Sequence, residues 1–258
     1  MRKLFLTALI LAFIASPALA QAIRVGVTPG PHAQIMEKVK EVGAAKGLDI
    51  QIQEFSDYVI PNMALADGAL EANSFQHQPY LDNQVLDRKF DIVSVAQSVN
   101  FPMGMYSSKL KNSTDLVDGA TIAIPNDPTN GARALLVLAD NGLIKVDAEK
   151  GLNVSMLEVI ENPKNLKFVE LDAAQLPRSL EDVDAAVINT NYAMEAGLDP
   201  SKDPLIREGE KAPYFNVIAV RTDDKNAPWV KNFIDAYHSP EVKTFIDETF
   251  KGSVVPAW

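Results

Sequence analysis

The sequence predicts an α/β protein of two lobes with a ligand cleft between them. Three observations carry this prediction. Strands and helices alternate along most of the chain, the alternation repeats on either side of residue 105, and a strongly alternating strand, Phe215–Arg221, follows the second set. A late strand of that kind can return the chain to the first lobe, so that two crossings join the lobes. Hinged lobes of this type bind small ligands where they meet.

Composition and charge exclude several classes of function. The 258 residues are 47% hydrophobic and 22% charged, which is typical of a globular protein, and a length of this order suits one large or two modest domains. The 34 acidic and 24 basic residues give a net charge of −10, a field that repels nucleic acid and anionic lipid. The sequence has no cysteine, so thiolate metal sites, disulfides and cysteine nucleophiles are absent.

The first 20 residues have the layout of a secretory signal peptide. Arg2 and Lys3 precede the apolar run Leu4–Ile14, and Ala18–Ala20 supplies small residues before a cleavage site that we expect after Ala20. As a helix the run would span about 16 Å against about 30 Å of bilayer core, which disfavours a membrane anchor. We therefore expect an exported protein.

The first lobe is predicted to begin with a strand–helix–strand unit. Ile23–Val27 and Leu48–Ile52 alternate as strands, and His32–Ala45 between them has its apolar residues at helical spacing. A unit of this length indicates two parallel strands joined by a right-handed crossover. The predicted domain bounds are 21–105 for the first part of lobe I, 106–216 for lobe II and 217–258 for the segment that returns to lobe I.

The remaining elements continue the alternation. In chain order they are a strand at Ala120–Ile124, a helix at Asn130–Asn141, strands at Leu166–Leu171, Asp184–Ile188 and Phe215–Arg221, and helices around Ala227–Tyr237 and Pro240–Phe250.

The turn Pro125–Arg133, between a predicted strand and a predicted helix, is the first candidate site. Thr129 or Asn130 is a natural N-cap, which would leave Arg133 in the first helical turn. Free backbone N–H groups and the positive helix end favour an anion there, and an arginine can hold a carboxylate with two hydrogen bonds. The alternative is an ordinary cap, with Arg133 reaching a surface acid.

An aromatic group at the end of a likely strand is the second candidate. Phe75, His77 and Tyr80 are suited to lining a pocket around an apolar side chain such as a thioether, and Tyr58 is a weaker candidate of the same kind. The alternative is core packing with a histidine whose hydrogen bonds are satisfied.

Asparagines near expected strand ends form the third candidate group. Asn189, Asn191 and Asn216 each offer a donor and an acceptor, so they can address an ammonium and a carboxylate together. Turn chemistry is the alternative for Asn189 and Asn191. It explains Asn216 less well, because asparagine is depleted inside strands.

No catalytic, metal-binding or nucleotide-binding constellation is evident. His32, His77 and His238 lie far apart and lack the spacing of a zinc site or a nucleophile elbow. The sequence also lacks the glycine-rich patterns that hold phosphates. We predict no catalytic residue, no metal and no cofactor.

Several long strings, in one order along nearly the whole mature chain, resemble one family. They are Asp57–Asn62, Phe75–Leu81, Pro125–Asn130, Glu161–Lys167, Gln175–Leu180 and Ala186–Thr190. In these strings the sequence resembles the substrate-binding component of bacterial D/L-methionine ABC importers, the MetQ/NlpA family.

This resemblance implies a type II periplasmic-binding-protein fold with methionine, L- and possibly D-, in the interlobe cleft. At the polar end, Arg133 would bind the ligand carboxylate, and Asn130, Asn189 and Asn216 would bind the polar substituents of the α-carbon. Closure of the lobes around the ligand is the implied mechanism.

At the apolar end, the resemblance implies that Tyr58, Phe75, His77 and Tyr80 surround the thioether chain. The implied partners are a membrane permease and its ATPase. Members of this family are commonly lipoproteins with a cysteine after the signal peptide, whereas Gln21 follows Ala20 here. We therefore expect a periplasmic protein without a lipid anchor, unless a retained signal peptide tethers it.

Other functions remain open. Relatives of this kind also bind a methionine-containing dipeptide or other small amino acids. A periplasmic enzyme on the same fold, such as a dehydratase, would need an acid or base in the cleft, for which His77 is the only plausible residue. A structural or adhesion role would leave Arg133 without a ligand.

Overall fold

A computed structural model describes residues 21–209 and 212–258; the predicted signal peptide lies outside these residues. The strands, in chain order, are β1 (Gln21–Val27), β2 (Leu48–Glu54), β3 (Ala72–His77), β4 (Ile92–Gln97), β5 (Val99–Asn100), β6 (Gly104–Tyr106), β7 (Thr121–Pro125), β8 (Lys145–Val146), β9 (Val159–Glu161), β10 (Lys167–Leu171), β11 (Ala185–Ile188), β12 (Ile206–Arg207), β13 (Asn216–Arg221) and β14 (Val255–Pro256). The α-helices are α1 (Pro31–Ala44), α2 (Ile60–Ala66), α3 (Gln78–Arg88), α4 (Pro128–Asp140), α5 (Leu176–Ser179), α6 (Thr190–Glu195), α7 (Pro228–Tyr237) and α8 (Pro240–Phe250).

Two five-stranded sheets define two lobes, which confirms the predicted fold class. Lobe I contains the sheet with strand order β2-β1-β3-β13-β4, in which β13 runs antiparallel to both neighbours. Lobe II contains the sheet with strand order β10-β7-β11-β6-β12, in which β6 runs antiparallel to both neighbours. The parallel pairing of β1 with β2 around α1 confirms the strand–helix–strand unit.

The chain crosses between the sheets twice, as the late strand suggested. The first crossing, residues 101–103, lies between β5 and β6, and the second, residues 208–215, lies between β12 and β13. Sheet membership thus assigns Gly104 and Met105 to lobe II and Asn216 to lobe I, a shift of one or two residues from the predicted bounds. We propose domain bounds that follow these crossings.

Helices cover both faces of each sheet, and this explains why β11 and the middle of β13 are apolar without interruption. In β13, Ile218 and Val220 pack towards α1, α7 and α8, whereas Val217 and Ala219 pack towards α2 and α3. Successive side chains of a strand point to opposite faces, so a strand covered on both sides buries every one of them. Lobe II is built alike, with α4 on one face and α5 and α6 on the other.

Short strands and helices were not predicted because they contain too few residues to show a hydrophobic period. The strands β6 and β12 have three and two residues, and α5 and α6 have four and six. In residues 21–209 and 212–258, the structure contains no helix with the length and apolar character that a membrane crossing requires.

Candidate ligand-binding site

A cavity lies between the two lobes, beside both crossings. Its empty space, which includes the open space at its mouth, is about 350 Å³. The structure brings together all eight residues predicted to bind ligand, which line this cavity: Tyr58, Phe75, His77, Tyr80, Asn130, Arg133, Asn189 and Asn216.

Five further residues complete the lining. Asn191 had been considered among the polar candidates, and the other four were not predicted to bind ligand: His32, Gln76, Phe101 and Thr190. Gln76 and Thr190 are direct neighbours of predicted residues in the sequence, whereas His32 and Phe101 come to the cavity from parts of the chain that no predicted site residue marks.

Arg133 is buried, with 3% of its surface exposed, and is already paired. Its Nε and Nη2 groups donate to the two carboxylate oxygens of Glu208, at 2.8 and 2.5 Å. Nη2 also donates to the carbonyl oxygen of Phe101 at 2.8 Å, and the guanidinium lies 4.4 Å from the centre of the Tyr214 ring. Nη1 donates to no residue that the structure describes, so it is the part of the guanidinium available to a ligand.

The predicted geometry of the α4 N-terminus was wrong. The N-cap is Asp127, whose Oδ1 accepts a hydrogen bond from the backbone N–H of Asn130, and not Thr129 or Asn130. Pro128 occupies the first helical position, where its fixed φ suits the helix and its missing N–H leaves nothing unsatisfied. Arg133 consequently lies in the second turn, and the carboxylate of Asp127 already occupies the anion-binding end of the helix.

Close packing of α4 on β7 depends on Gly131. A Cβ atom at this position would lie 2.9 Å from the carbonyl oxygen of Pro125, which is backbone and cannot move aside. The glycine therefore lets the first turn of α4 approach the end of β7, which sets the position of Asn130 and Arg133.

Asn130 is the hub of a hydrogen-bond network. Its Oδ1 accepts from Asn189 Nδ2 at 2.7 Å and lies 3.2 Å from His77 Nε2, and its Nδ2 donates to Asp127. Burial raises the pKa of Asp127, against the hydrogen bonds that its carboxylate accepts from Asn130 and Thr129. The network thus fixes which end of the Asn130 amide faces His77.

His77 is a satisfied histidine and lines the cavity as well. Its Nδ1 accepts from the backbone N–H of Tyr80, so it caps α3, and Nε2 carries the proton that is donated to Asn130 across the lobes. Burial, together with the positive charge of Arg133, lowers its pKa to about 3. With both nitrogens engaged and the ring neutral, what His77 offers a ligand is its apolar surface.

Two buried polar atoms in the cavity wall lack a partner. Asn189 Oδ1 and Asn191 Nδ2 make no hydrogen bond with any part of the chain that the structure describes. Asn189 stands at the N-cap position of α6, yet its side chain makes no capping bond. Turn chemistry therefore does not explain it, and an unsatisfied buried acceptor beside a buried donor indicates that a polar group belongs between them.

Asn216 is held in place by a second buried histidine. Its Nδ2 lies 3.2 Å from His32 Nε2, and His32 Nδ1 lies 2.7 Å from the hydroxyl oxygen of Thr28. Because an amide nitrogen only donates, Nε2 accepts and Nδ1 carries the proton. Burial lowers the pKa of His32 to about 3. The Oδ1 of Asn216 accepts no hydrogen bond from the residues described.

Aromatic rings form the opposite wall, as predicted. The Tyr58 ring lies 5.9 Å from Phe75, 6.1 Å from Tyr80 and 5.0 Å from Tyr192, measured between centroids, and Phe75 lies 6.2 Å from Tyr80. Hydrogen bonds orient two of them, because the Tyr58 hydroxyl donates to Asn191 Oδ1 at 2.6 Å and the Tyr80 hydroxyl to the carbonyl oxygen of Tyr58 at 2.9 Å. The result is an apolar surface of fixed shape.

Tyr58 and Tyr80 also separate the cavity from an open outer cleft. This cleft is wider, with about 1,570 Å³ of empty space, and both tyrosines line it from the inside. Two hydrogen bonds hold the lobes together here, one from Tyr58 to Asn191 and one from the Tyr192 hydroxyl to the carbonyl oxygen of Ser56 at 3.1 Å.

Within residues 21–209 and 212–258, no group of three or more histidine, aspartate or glutamate side chains is arranged to hold a metal ion. The cavity lining combines amide side chains with aromatic rings, and among the described residues its only formally charged member is Arg133. Such a site suits a small molecule with an anionic group and an apolar tail.

Comparisons with known proteins point in the same direction. A family model described as NlpA lipoprotein matches residues 23–258. The D-methionine-binding lipoprotein MetQ of Salmonella typhimurium is 47% identical over 239 residues, which cover 92% of this chain and 88% of that protein.

Solved structures agree with this match. A nutrient-binding protein from Burkholderia cenocepacia, solved bound to methionine, is 52% identical with a TM-score of 0.89, covering 92% of this chain and all of that one. An ABC transporter periplasmic substrate-binding protein from Coxiella burnetii is 50% identical with a TM-score of 0.88, covering 91% of this chain and all of that one.

Proposed function

Because the chain belongs to the NlpA lipoprotein family, we propose that it captures methionine in the periplasm and delivers it to an ABC importer. The single observation that carries this proposal is the composition of the cavity lining. One guanidinium and several amide side chains, two of which have a polar atom without a partner in the described chain, share the lining with aromatic rings. An α-amino acid with an apolar side chain needs both kinds of partner.

At the polar end, Arg133 offers Nη1 to the ligand carboxylate. The ligand ammonium would donate to Oδ1 of Asn189 and Oδ1 of Asn216, both of which lack a donor in the described chain. Asn191 Nδ2 is a second donor for the carboxylate. Each of these residues is buried, so a ligand that does not match them would leave polar groups unsatisfied, and this confers specificity.

Asn130 acts differently from the other asparagines. Both ends of its amide are engaged, with Asp127 on one side and with His77 and Asn189 on the other. It therefore orients Asn189 towards the ligand more than it contacts the ligand itself.

At the apolar end, Tyr58, Phe75, His77 and Tyr80 surround the thioether chain. Sulfur packs favourably at the edges of aromatic rings, and the hydrogen bonds that fix Tyr58 and Tyr80 reduce the entropy lost on binding.

Delivery rests on the opening and closing of the two lobes. Cavity residues come from both lobes, His77 and Asn216 from lobe I, Asn130 and Arg133 from lobe II, so a ligand that touches all of them stabilises the closed form. The partners are a membrane permease, which receives the closed form, and an ATPase, which drives transport through the permease. Export through the predicted signal peptide would place the protein where this exchange occurs.

An enzyme on the same fold is the alternative of another class. It would rely on His77, whose nitrogens are both hydrogen bonded and whose pKa of about 3 keeps it uncharged near neutral pH. A general base needs a free nitrogen within reach of a substrate proton. No observation favours that role for His77.

Isothermal titration tests the proposal. Protein that has been unfolded and refolded, to remove any ligand carried through purification, is titrated with L-methionine, D-methionine, glycyl-methionine and leucine. We expect one-to-one binding of methionine, with no consumption of the ligand and weaker binding of leucine. Binding of only the dipeptide would assign the dipeptide as ligand, and a folded protein that binds none of the four would refute the proposal.

A further inference from the structure

Glu208 is a buried carboxylate behind the cavity wall, in the second crossing. Its side chain is 4% exposed and accepts three hydrogen bonds, two from Arg133 and one from the backbone N–H of Met103 at 3.1 Å. It does not line the cavity, so it does not touch a ligand directly. Any influence of Glu208 on ligand binding must therefore act through Arg133.

The charges around the cavity balance without a ligand. Arg133 and Glu208 form a neutral pair, and the two lining histidines, His32 and His77, are uncharged. A half-buried carboxylate nearby, Asp127, is held by Asn130 and Thr129 and lines the outer cleft, not the cavity. Among the residues described, the lining thus presents a guanidinium whose charge is already compensated.

The pairing of Arg133 with Glu208 limits which ligands the cavity can bind. When a carboxylate approaches Nη1 of Arg133, two carboxylates share one guanidinium in a site that excludes water. The excess negative charge is costly there unless the ligand brings a positive charge of its own. An α-amino acid brings its ammonium, whereas an acid of the same shape without the amino group does not.

We propose that Glu208 determines the charge selectivity of the cavity, so that it accepts a zwitterionic ligand and rejects the corresponding anion. Glu208 is in this sense a positioning and charge-setting residue. The inference rests on the proposed function, since it concerns the form of amino acid that the same cavity binds.

The test compares L-methionine with 4-(methylsulfanyl)butanoate, which lacks only the amino group. Both are titrated into the refolded wild type and into Glu208→Gln, which keeps the size of the side chain and removes its charge. We expect the wild type to bind methionine more tightly than the butanoate. The ratio of the methionine affinity to the butanoate affinity should be smaller in the variant by about tenfold or more. The hydrogen bonds of the ligand ammonium are present in both the wild type and the variant. Their contribution therefore cancels when the affinity ratio of one protein is compared with that of the other.

Glu208→Asp is the matched control, because it keeps the charge and alters the geometry. It should preserve the preference for methionine even if both affinities fall. Loss of the preference in Glu208→Asp, an unchanged ratio in Glu208→Gln, or wild-type protein that binds the two compounds equally would each overturn the inference.

If Glu208→Gln, which leaves Arg133 buried without its partner, is only partly folded as isolated, ligand-induced changes in melting temperature replace titration. We expect methionine to stabilise this variant more than the butanoate does, but by a smaller margin than in the wild type. If neither compound stabilises the variant, or the margin stays as large as in the wild type, the inference fails. Failure of the wild type to bind methionine would instead refute the proposed function.

Discussion

Arg133 and Glu208 form a bidentate ion pair inside the protein, with Nε and Nη2 of the arginine on the two oxygens of the glutamate at 2.8 and 2.5 Å. The pair joins α4 to the second crossing, and the bond from Arg133 to Phe101 joins it to the first. Arg133, which we propose binds the ligand carboxylate, is therefore attached to both segments that connect the lobes. Ligand affinity and stability of the fold should both depend on it.

Replacing Arg133 by alanine should weaken methionine binding by about 2–5 kcal/mol, because a buried charge contact to the ligand is lost. It should also lower the free energy of unfolding by about 3–5 kcal/mol, because Glu208 stays buried without its partner. Titration calorimetry and denaturant unfolding measure the two effects.

The double variant Arg133→Ala/Glu208→Ala is the control. Removing both charges should restore part of the stability and none of the affinity. A double variant that binds as tightly as wild type would show that Arg133 serves the fold alone.

Replacing Asn216 by alanine should weaken methionine binding by about 1–3 kcal/mol, since the ligand ammonium and His32 each lose a partner. Asn153→Ala, at an exposed loop position, serves as the matched control and should bind as wild type does. Circular dichroism distinguishes the outcomes, because an unfolded Asn216 variant would mean that the residue is structural.

Replacing Gly131 by alanine should destabilise the protein by about 1–3 kcal/mol and weaken ligand binding, because the new methyl group meets the carbonyl oxygen of Pro125 at 2.9 Å. Gly43→Ala in α1 is the control, since its nearest neighbour, at 3.1 Å, is the end of the flexible Ile50 side chain. Thermal unfolding compares the two, and equal melting temperatures would refute the tight packing of α4 on β7.

Stability should fall as the pH drops from 7 towards 5.5. His32 and His77 have folded pKa values of about 3, below the ordinary value of 6.5, so the unfolded chain takes up protons that the folded protein does not. Stability is therefore full above pH 7 and decreases as the pH falls through 6.5, by about 1 kcal/mol per histidine at pH 5.5. Denaturant unfolding at several pH values measures this slope, and His77→Gln should reduce it by about half; an unchanged slope would contradict a neutral buried His77.

Much of the cavity lining was predictable because six of the eight predicted residues lie in strings characteristic of the family. The grouping of Tyr58, Phe75, His77 and Tyr80 with Arg133 and the asparagines was expected from resemblance, and the structure brings all of them to one cavity. Their contacts with a ligand stay a proposal. Local sequence alone left ordinary packing, capping or turn chemistry as a good explanation for every one of them except Asn216.

Other features depend on contacts that no local pattern encodes. Glu208 lies 75 residues from Arg133 and 105 from Met103, so nothing near it in sequence marks it as a partner. The N-cap of α4 was mispredicted although the signal was present, because an aspartate followed by proline at the first helical position outranks the threonine and asparagine that follow.

Long strands and helices were predictable because both have enough residues to show a period. The strands β1 and β13 and the helices α1 and α4 appear within a few residues of their expected positions. The predicted domain bounds differ from the segments that connect the sheets by one or two residues. The first bound was hard to predict because β6, the strand that follows it, has only three residues and pairs with strands much later in the chain.

Determining the structure of the refolded protein with L-methionine tests the central claim most directly. We expect methionine in the interlobe cavity, with its carboxylate within hydrogen-bond distance of Arg133 Nη1, its ammonium on Asn189 and Asn216, and its sulfur against Tyr58 and Phe75. Glu208 should keep both of its hydrogen bonds to Arg133. Methionine bound elsewhere, or an interlobe cavity without it at saturating concentration, would contradict the account.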